Sequence, residues 1–519
     1  MRKFGRPIAL RYGYKPAISL SSSLNTMSPI RSLDYDSAFL SRFDADEICD
    51  DVVTFLHVSR RSDWDSIWND KSNPDLWRYN LHYFEYLLPL AKAYEDTGDS
   101  RYLDKAKGII VAWITGNAQP DGGDGWSPYT VALRLINWGE WLALTDQEAF
   151  EDEAFRMLMV ASYVEQHCFL ATHLEKDLLA NHYLEDLKTL VVSSLVLDDS
   201  RSYRIALDLL EKQVEEQVLP DGMHFELSPL YHKIMFESLI RVAWALKEHG
   251  KESSTINKAL KRMADFLYSF ERDTDTTPLF NDSGDNIAKS KSSLLATAKE
   301  LLGIEPTYKS AFSDSGYYLF ETETDGHTVK VIIDAGKTGP DYATGHAHCD
   351  MLSYECYVDG APRVVNAGTY EYAPGENRRY YRSTAAHNTV MVNGGEQSQC
   401  WAQFRLARRA SPAVQEHDAD RRHLKASCTD YRGRKVVRQL DLDSSGRLRV
   451  LDHAEDGQSM VSFIHAAPNG PDIIVEEGAL SKATFAYAPE YGAAQQLQSY
   501  SITAENSRVL YYIDCLGKR

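Results

Sequence analysis

With 519 residues, the chain exceeds what one compact domain usually holds, so two or more domains are expected. Its 43% hydrophobic and 25% charged residues match soluble globular averages and exclude disorder on the scale of a domain. The formal net charge of -19, from 56 Lys+Arg against 75 Asp+Glu, opposes general attraction to nucleic acid or anionic membranes, so a polyanionic ligand must meet a locally basic cleft.

In chain order, Met1 to Leu20 carries early basic residues, but Arg11, Tyr12, Tyr14 and Lys15 interrupt the apolar run that an export signal needs. No stretch approaches the roughly 18 consecutive apolar residues of a membrane span. The expected location is therefore the cytoplasm, or the periplasm or exterior if the chain is a piece of a longer protein. Residues 1–70 form a lead segment of mixed character. From about Leu76 to Leu302 the helical period dominates. Leu81, Phe84 and Leu88 fall at helical spacing after Asp75, read as a cap, and Gly98 reads as a stop. Further helices are expected over Ser202–Val218, Lys233–His249 and Ile256–Phe270, arranged as antiparallel hairpins without a strict repeat. Trp126, Arg134 and Trp138 are read as groove lining or, for the tryptophans, as core.

Two polar clusters interrupt the helical region. In Asn181-His182-Tyr183-Leu184-Glu185, Asn181 and Glu185 share a helical face. The other runs from Asp221 through His224, Glu226 and Tyr231 to His232. Each also reads as an ordinary capped helix start.

After about Thr307 the pattern becomes short runs rich in β-branched and aromatic residues: Gly316–Phe320, Thr328–Asp334, Leu352–Val358, Arg363–Val365, Thr389–Val392, Val436–Leu442 and Leu448–Asp452. Asp359-Gly360 and Asn393-Gly394 are hairpin signals. An antiparallel sandwich is favoured over a barrel. The seven cysteines are odd in number and dispersed, without a C-x-x-C pair, and are expected to be free thiols.

The most informative segment is Gly345-His346-Ala347-His348-Cys349-Asp350, leading into an expected strand. If extended, it projects His346, His348 and Asp350 to one face. Downstream lie Asn366-Ala367-Gly368-Thr369-Tyr370 and Ala386-His387-Asn388. His348 and His387 could serve as two metal ligands, and a structural or surface role for the histidines competes with that reading.

Leu76 to Phe84, Asn181-His182, Glu226 to Tyr231, Gly345 to Asp350 and Ala386-His387-Asn388 occur in an order and spacing that resembles heparinase II/III-like polysaccharide lyases, over about Val53 to Asn393. The resemblance implies a multidomain α+β chain, with an incomplete α/α toroid over residues 71–306 and an antiparallel β-sandwich over 307–519. It also implies β-elimination at C4 of a uronic acid in an acidic polysaccharide, sulfated or not. Asn181 then resembles the amide that neutralises the sugar carboxylate, with His182 beside it. Tyr231 resembles the acid that protonates the leaving oxygen, and His346 is the easier base near neutral pH, the two roles merging on Tyr231 for the other stereochemistry. A tyrosine from the helical half and a histidine from the sandwich half should therefore meet. His348 and His387 match positions that hold a structural zinc in relatives, with Asn366 where a carboxylate is usual. Glu185, Glu226, Arg378, Arg382 and Asn388 are expected to contact substrate, and the two arginines belong to basic clusters with Arg379, Arg405, Arg408 and Arg409.

Two other readings stand beside the lyase. A glycoside hydrolase needs two carboxyl groups flanking the bond, for which Glu185 and Glu226 are available. A noncatalytic glycan-binding protein serving polysaccharide assembly fits the absent export signal.

Overall fold

The computed structural model describes residues 30–118, 123–271, 274–455, 458–504 and 507–517; the segment Met1 to Leu20, read above for an export signal, lies outside them. The chain divides into two compact units. The first takes the described residues up to Glu215 together with Glu237–Lys258 and Ala296–Gly303, and the second takes Glu216–Phe236, Ala259–Leu295 and the chain from Ile304 on. The division therefore does not fall at a single point in the sequence.

The first unit is helical apart from a short antiparallel hairpin of Val52–Phe55 and Val58–Arg61. The run expected to be continuous from Asp75 to Gly98 is two helices, Asp75–Tyr83 and Leu87–Thr97, broken at Phe84, whose φ is 65°. Aromatic packing holds this unfavourable backbone: the buried Phe84 ring stacks on Trp68 at 5.8 Å and meets Trp138 edge-on at 5.3 Å. Asp75 is the first helical residue and Pro74 occupies the cap position, so the acid acts on the helix dipole and not as a cap. Gly98 ends the second helix as expected, with φ 68° and its N–H donated to the Tyr94 carbonyl. Helices Ser200–Gln217, Pro229–Glu248 and Ser254–Phe270 lie where the periodicity places them. Trp126 and Trp138 are core residues, and Arg134 is buried with its guanidinium 3.8 Å over the Trp113 ring and its Nε donated to Gln166 at 2.7 Å. No described helix is long and apolar enough to cross a membrane.

The second unit is built on antiparallel sheets. A five-stranded sheet runs in sequence order through Ala311–Phe312, Tyr317–Thr324, His327–Asp334, Tyr354–Val358 and Ala361–Val364. Alternation along its strands separates two apolar sets. Phe320, Val331, Ile333, Tyr354 and Cys356 enter a core shared with Leu424, Leu440 and Val450 of a six-stranded sheet and Ile464 and Ile502 of a four-stranded one. Tyr317, Leu319, Ile332 and Tyr357 point the other way, onto Phe266, Phe270 and Phe280. The expected hairpin at Asp359-Gly360 is present, with φ of 50° and 76° and Val358 opposite Ala361. Asn393-Gly394 makes a turn of the same kind, with φ of 48° and 62°.

Candidate active site

The site in the second unit starts from a helix cap. Ser228 precedes the helix Pro229–Glu248; its Oγ accepts the Tyr231 N–H at 3.3 Å and donates to the Asp282 carbonyl at 2.6 Å. This fixes Tyr231 in the first helical turn, where its ring lies 3.9 Å from that of His346 at an interplanar angle of 31°. The tyrosine of the helical region and the histidine of the sandwich region thus meet, and both belong to the second unit. The Tyr231 hydroxyl lies 3.0 Å from that of Tyr372, which lies 2.5 Å from that of Tyr491. Burial, followed by the neighbouring Tyr491, lifts the Tyr231 hydroxyl well above its ordinary value, so it carries its proton at neutral pH.

The second component is Asp282, fully buried in a turn-rich loop. His346 Nδ1 lies 3.0 Å from its Oδ2 and His348 Nε2 lies 2.8 Å from its Oδ1. Arg378 grips both oxygens, with Nη2 2.7 Å from Oδ2 and Nη1 in close contact with Oδ1. Burial alone would raise this carboxyl, but Arg378 and the two histidines overcome it and hold Asp282 well below the carboxylate range. With Nδ1–H donated to an ionised Asp282, His346 presents Nε2 as its basic nitrogen.

The segment carrying the histidines is irregular; the strand begins at Tyr354 because Leu352 has φ 63°. It is shaped by the Asp282 loop. Asn281 Oδ1 accepts the His348 N–H at 3.0 Å, and Asp282 N–H donates to the His346 carbonyl at 3.0 Å. His346 and His348 therefore converge on Asp282 as a strand would have had them do. Asp350 departs from that face and accepts the Asn281 N–H at 2.9 Å.

The residues expected to hold zinc are engaged with one another and with their neighbours. His348 gives one nitrogen to Asp282 and places the other 3.2 Å from His387 Nε2, so the rings hydrogen-bond to each other. Burial lowers His348 to about 4 and His387 well below its ordinary value, leaving both neutral. Asn366 Oδ1 accepts the Asn388 N–H at 3.1 Å, and its buried Nδ2 has no hydrogen-bond partner among the described residues. Among those residues no group of three or more His, Cys, Asp or Glu side chains is placed to hold a metal. The amide of Asn366 is a poorer zinc ligand than a carboxylate.

Several residues expected to touch substrate are spent inside the protein. Asn388 donates to the Tyr354 and Val365 carbonyls, both at 2.9 Å, and accepts the His465 N–H at 2.7 Å. Arg382 is saturated by the carbonyls of Ala347, Ala402 and Gln403, and Arg378 by Asp282 and Gln403. Glu226 is buried with His224 3.8 Å away. Glu185, in the first unit, is buried against Lys188 and Ser238. All five are engaged within the protein, and Arg378 and Arg382 also line a pocket of about 200 Å³. Arg408 and Arg409 reach Gln399 and Asp341 on the surface.

Asn181 and His182 belong to the first unit and are partly exposed. They open the helix Ala180–Val196 directly after two left-handed residues, Leu179 with φ 61° and Ala180 with φ 50°. Strained non-glycine backbone of this kind is concentrated at functional sites. His182 Nδ1 lies 2.9 Å from Glu175 Oε2, and Glu175 N–H donates to Asp186, whose carboxyl burial raises to about 8.

Asp282, Tyr372 and Tyr491 were not singled out by the sequence. Asp282 sits among Asn281, Ser283 and Gly284, which read as a plain turn, and its partners lie 64 to 96 residues away. Tyr372 has the better signal, as it follows the Asn366–Tyr370 segment by two residues.

The family description Heparinase II/III N-terminus matches residues 35–309, and Heparinase II/III-like, C-terminal, matches residues 305–511. A heparin-sulfate lyase of Pedobacter heparinus is 24% identical over 358 residues, covering 63% of this chain and 53% of the relative. Another, of Bacteroides thetaiotaomicron, is 22% identical over 401 residues, covering 68% and 57%. The chain thus spans a little over half the length of these relatives. Among solved structures, a heparinase III superposes with a TM-score of 0.71 at 17% identity, covering 96% of this chain and 86% of the other. A heparan sulfate lyase from Pedobacter heparinus gives 0.62 at 18%, covering 97% and 86%. These likenesses show a shared fold, a helical toroid followed by antiparallel β-sandwich sheets. With the two matched regions together spanning residues 35–511, the chain belongs to the heparinase II/III-like family.

Proposed function

We propose that the chain is a polysaccharide lyase that cleaves a uronic-acid-containing glycosaminoglycan by β-elimination. The observation that carries this reading is the contact of a protonated tyrosine with a carboxylate-oriented histidine, Tyr231 against His346 at 3.9 Å. Elimination removes the weakly acidic C5 proton and expels the C4 oxygen, so it needs a base and an acid close together. His346 Nε2 takes the C5 proton, and Asp282 steadies the imidazolium that forms. Tyr231 gives its proton to the leaving oxygen, and the hydroxyls of Tyr372 and Tyr491 share the charge that develops on the phenol. A base role for Tyr231 is disfavoured by its raised pKa.

The named relatives are heparin-sulfate lyases, which supports a sulfated glycosaminoglycan as the substrate class. The hydrolase reading loses its carboxylates, since Glu185 is ion-paired to Lys188 and Glu226 is buried. The test is to incubate purified protein with heparan sulfate, chondroitin sulfate, hyaluronan and alginate while following ultraviolet absorbance of unsaturated uronate. Absorbance rising with one of these supports the lyase; new reducing ends without it would replace the lyase with a hydrolase.

A further inference from the structure

The mechanism leaves unused a pair of thiols close to the site. Sγ of Cys349 and Sγ of Cys400 lie 3.9 Å apart. Cys349 is buried, with its N–H donated to the Arg382 carbonyl at 3.1 Å and its Sγ 3.4 Å from the Ser398 carbonyl. Cys400 is only partly buried and lines a pocket of about 200 Å³ with Arg378, Arg379, Arg382, Trp401 and Gln403. One cysteine of the pair thus borders the pocket and the other is buried beside it. Closing the gap to the roughly 2.05 Å of a disulfide asks each sulfur to move by about 1 Å.

We propose that Cys349 and Cys400 form an oxidisable dithiol, a modification site that small disulfide oxidants reach through this pocket and close into an intramolecular disulfide. The Cys400 thiolate attacks one sulfur of the oxidant, breaking its S–S bond and releasing one thiolate. Cys349, giving up its proton, then attacks the Cys400 sulfur of the mixed disulfide and expels the second thiolate. Two electrons pass from the two cysteines to the oxidant, which leaves as two thiols. Cations bordering the pocket favour the attacking thiolate. The new bond ties the Cys400–Leu406 hairpin to the segment that carries His346. Phe404, on that hairpin, already packs on His346 at 6.1 Å and on Tyr372 at 5.1 Å.

The remaining cysteines supply internal controls. Cys49 and Cys168 are partly exposed, whereas Cys356, Cys428 and Cys515 are buried in the sheet core. The experiment treats the folded protein with 2-hydroxyethyl disulfide, blocks remaining thiols by alkylation, and maps peptides without reduction by mass spectrometry. A linked peptide pair joining Cys349 to Cys400 is expected, with reagent adducts on Cys49 and Cys168 and unmodified core cysteines. In Cys349→Ser the same reagent should instead leave a lasting adduct on Cys400; Cys349→Ala serves if the serine variant does not fold. The proposal is overturned if wild-type Cys400 keeps the reagent while Cys349 stays alkylatable. It is equally overturned if Cys400 does not react under conditions that modify Cys49. This chemistry does not depend on the lyase assignment.

Discussion

His346 Nδ1 and Asp282 Oδ2 lie 3.0 Å apart, and the same carboxylate anchors His348 and Arg378. One buried charge therefore orients the candidate base and neutralises the buried guanidinium behind it. Asp282→Asn leaves Arg378 without its counter-charge, and breaking a buried pair from one side costs about 3–5 kcal/mol. Urea denaturation should show a correspondingly lower midpoint with an unchanged slope, and lyase turnover should fall at least ~100-fold. A wild-type midpoint in this variant would remove Asp282 from the centre of the site.

Tyr231→Phe removes the proposed acid while preserving the ring that packs on His346. Turnover should drop by about 10²–10⁴-fold, with a melting temperature close to wild type. Tyr372→Phe deletes the hydroxyl that joins that phenol to Tyr491 and leaves the acid in place, so about a tenfold loss confined to kcat is expected. Steady-state kinetics on both variants separates the roles, and full activity in Tyr231→Phe would end the acid assignment.

By the family resemblance, Asn366 stands where a carboxylate is usual beside His348 and His387. Metal analysis of the purified wild-type protein should find well under one zinc per chain. Asn366→Asp supplies the missing anionic ligand and should raise zinc content after incubation and dialysis. Stoichiometric zinc in the wild-type protein would mean that an amide suffices.

Glu355 gives a pH signature. It is fully buried, accepts the N–H groups of Leu279 and Asn366 and the Tyr357 hydroxyl, and burial raises it to about 7. Between its unfolded value of about 4.3 and 7, the folded state binds more protons than the unfolded state, so this group's contribution weakens as the pH rises. Glu355→Gln cannot titrate. Its stability relative to wild type should therefore climb with pH across that window, and a pH-independent difference from pH 4 to 7 would contradict the raised value.

Legibility in the sequence followed the physics of each element. The strand Thr328–Asp334 was readable because alternating apolar residues fill a buried sheet, and Asp359-Gly360 because a two-residue turn demands left-handed backbone. Ser411–Asp418 and Ala479–Glu490 were not read as strands, since much of each is exposed and carries no apolar alternation. The break at Phe84 was hidden because Trp68 and Trp138, not a local breaker, impose it. At the site, His346 and Tyr231 stood out in local motifs, whereas Asp282 acquires its role only through contacts distant in sequence.

The five-stranded sheet has no idle face. Along His327–Asp334, Val331 and Ile333 serve the inter-sheet core while Ile332 serves the aromatic cluster of Phe266, Phe270 and Phe280. Inserting a single residue in mid-strand would exchange the two sets of side chains and misfill both interiors at once. Length variation among relatives should therefore be confined to the tips of its hairpins, such as Asp325-Gly326 and Asp359-Gly360, where an added residue shifts no packing.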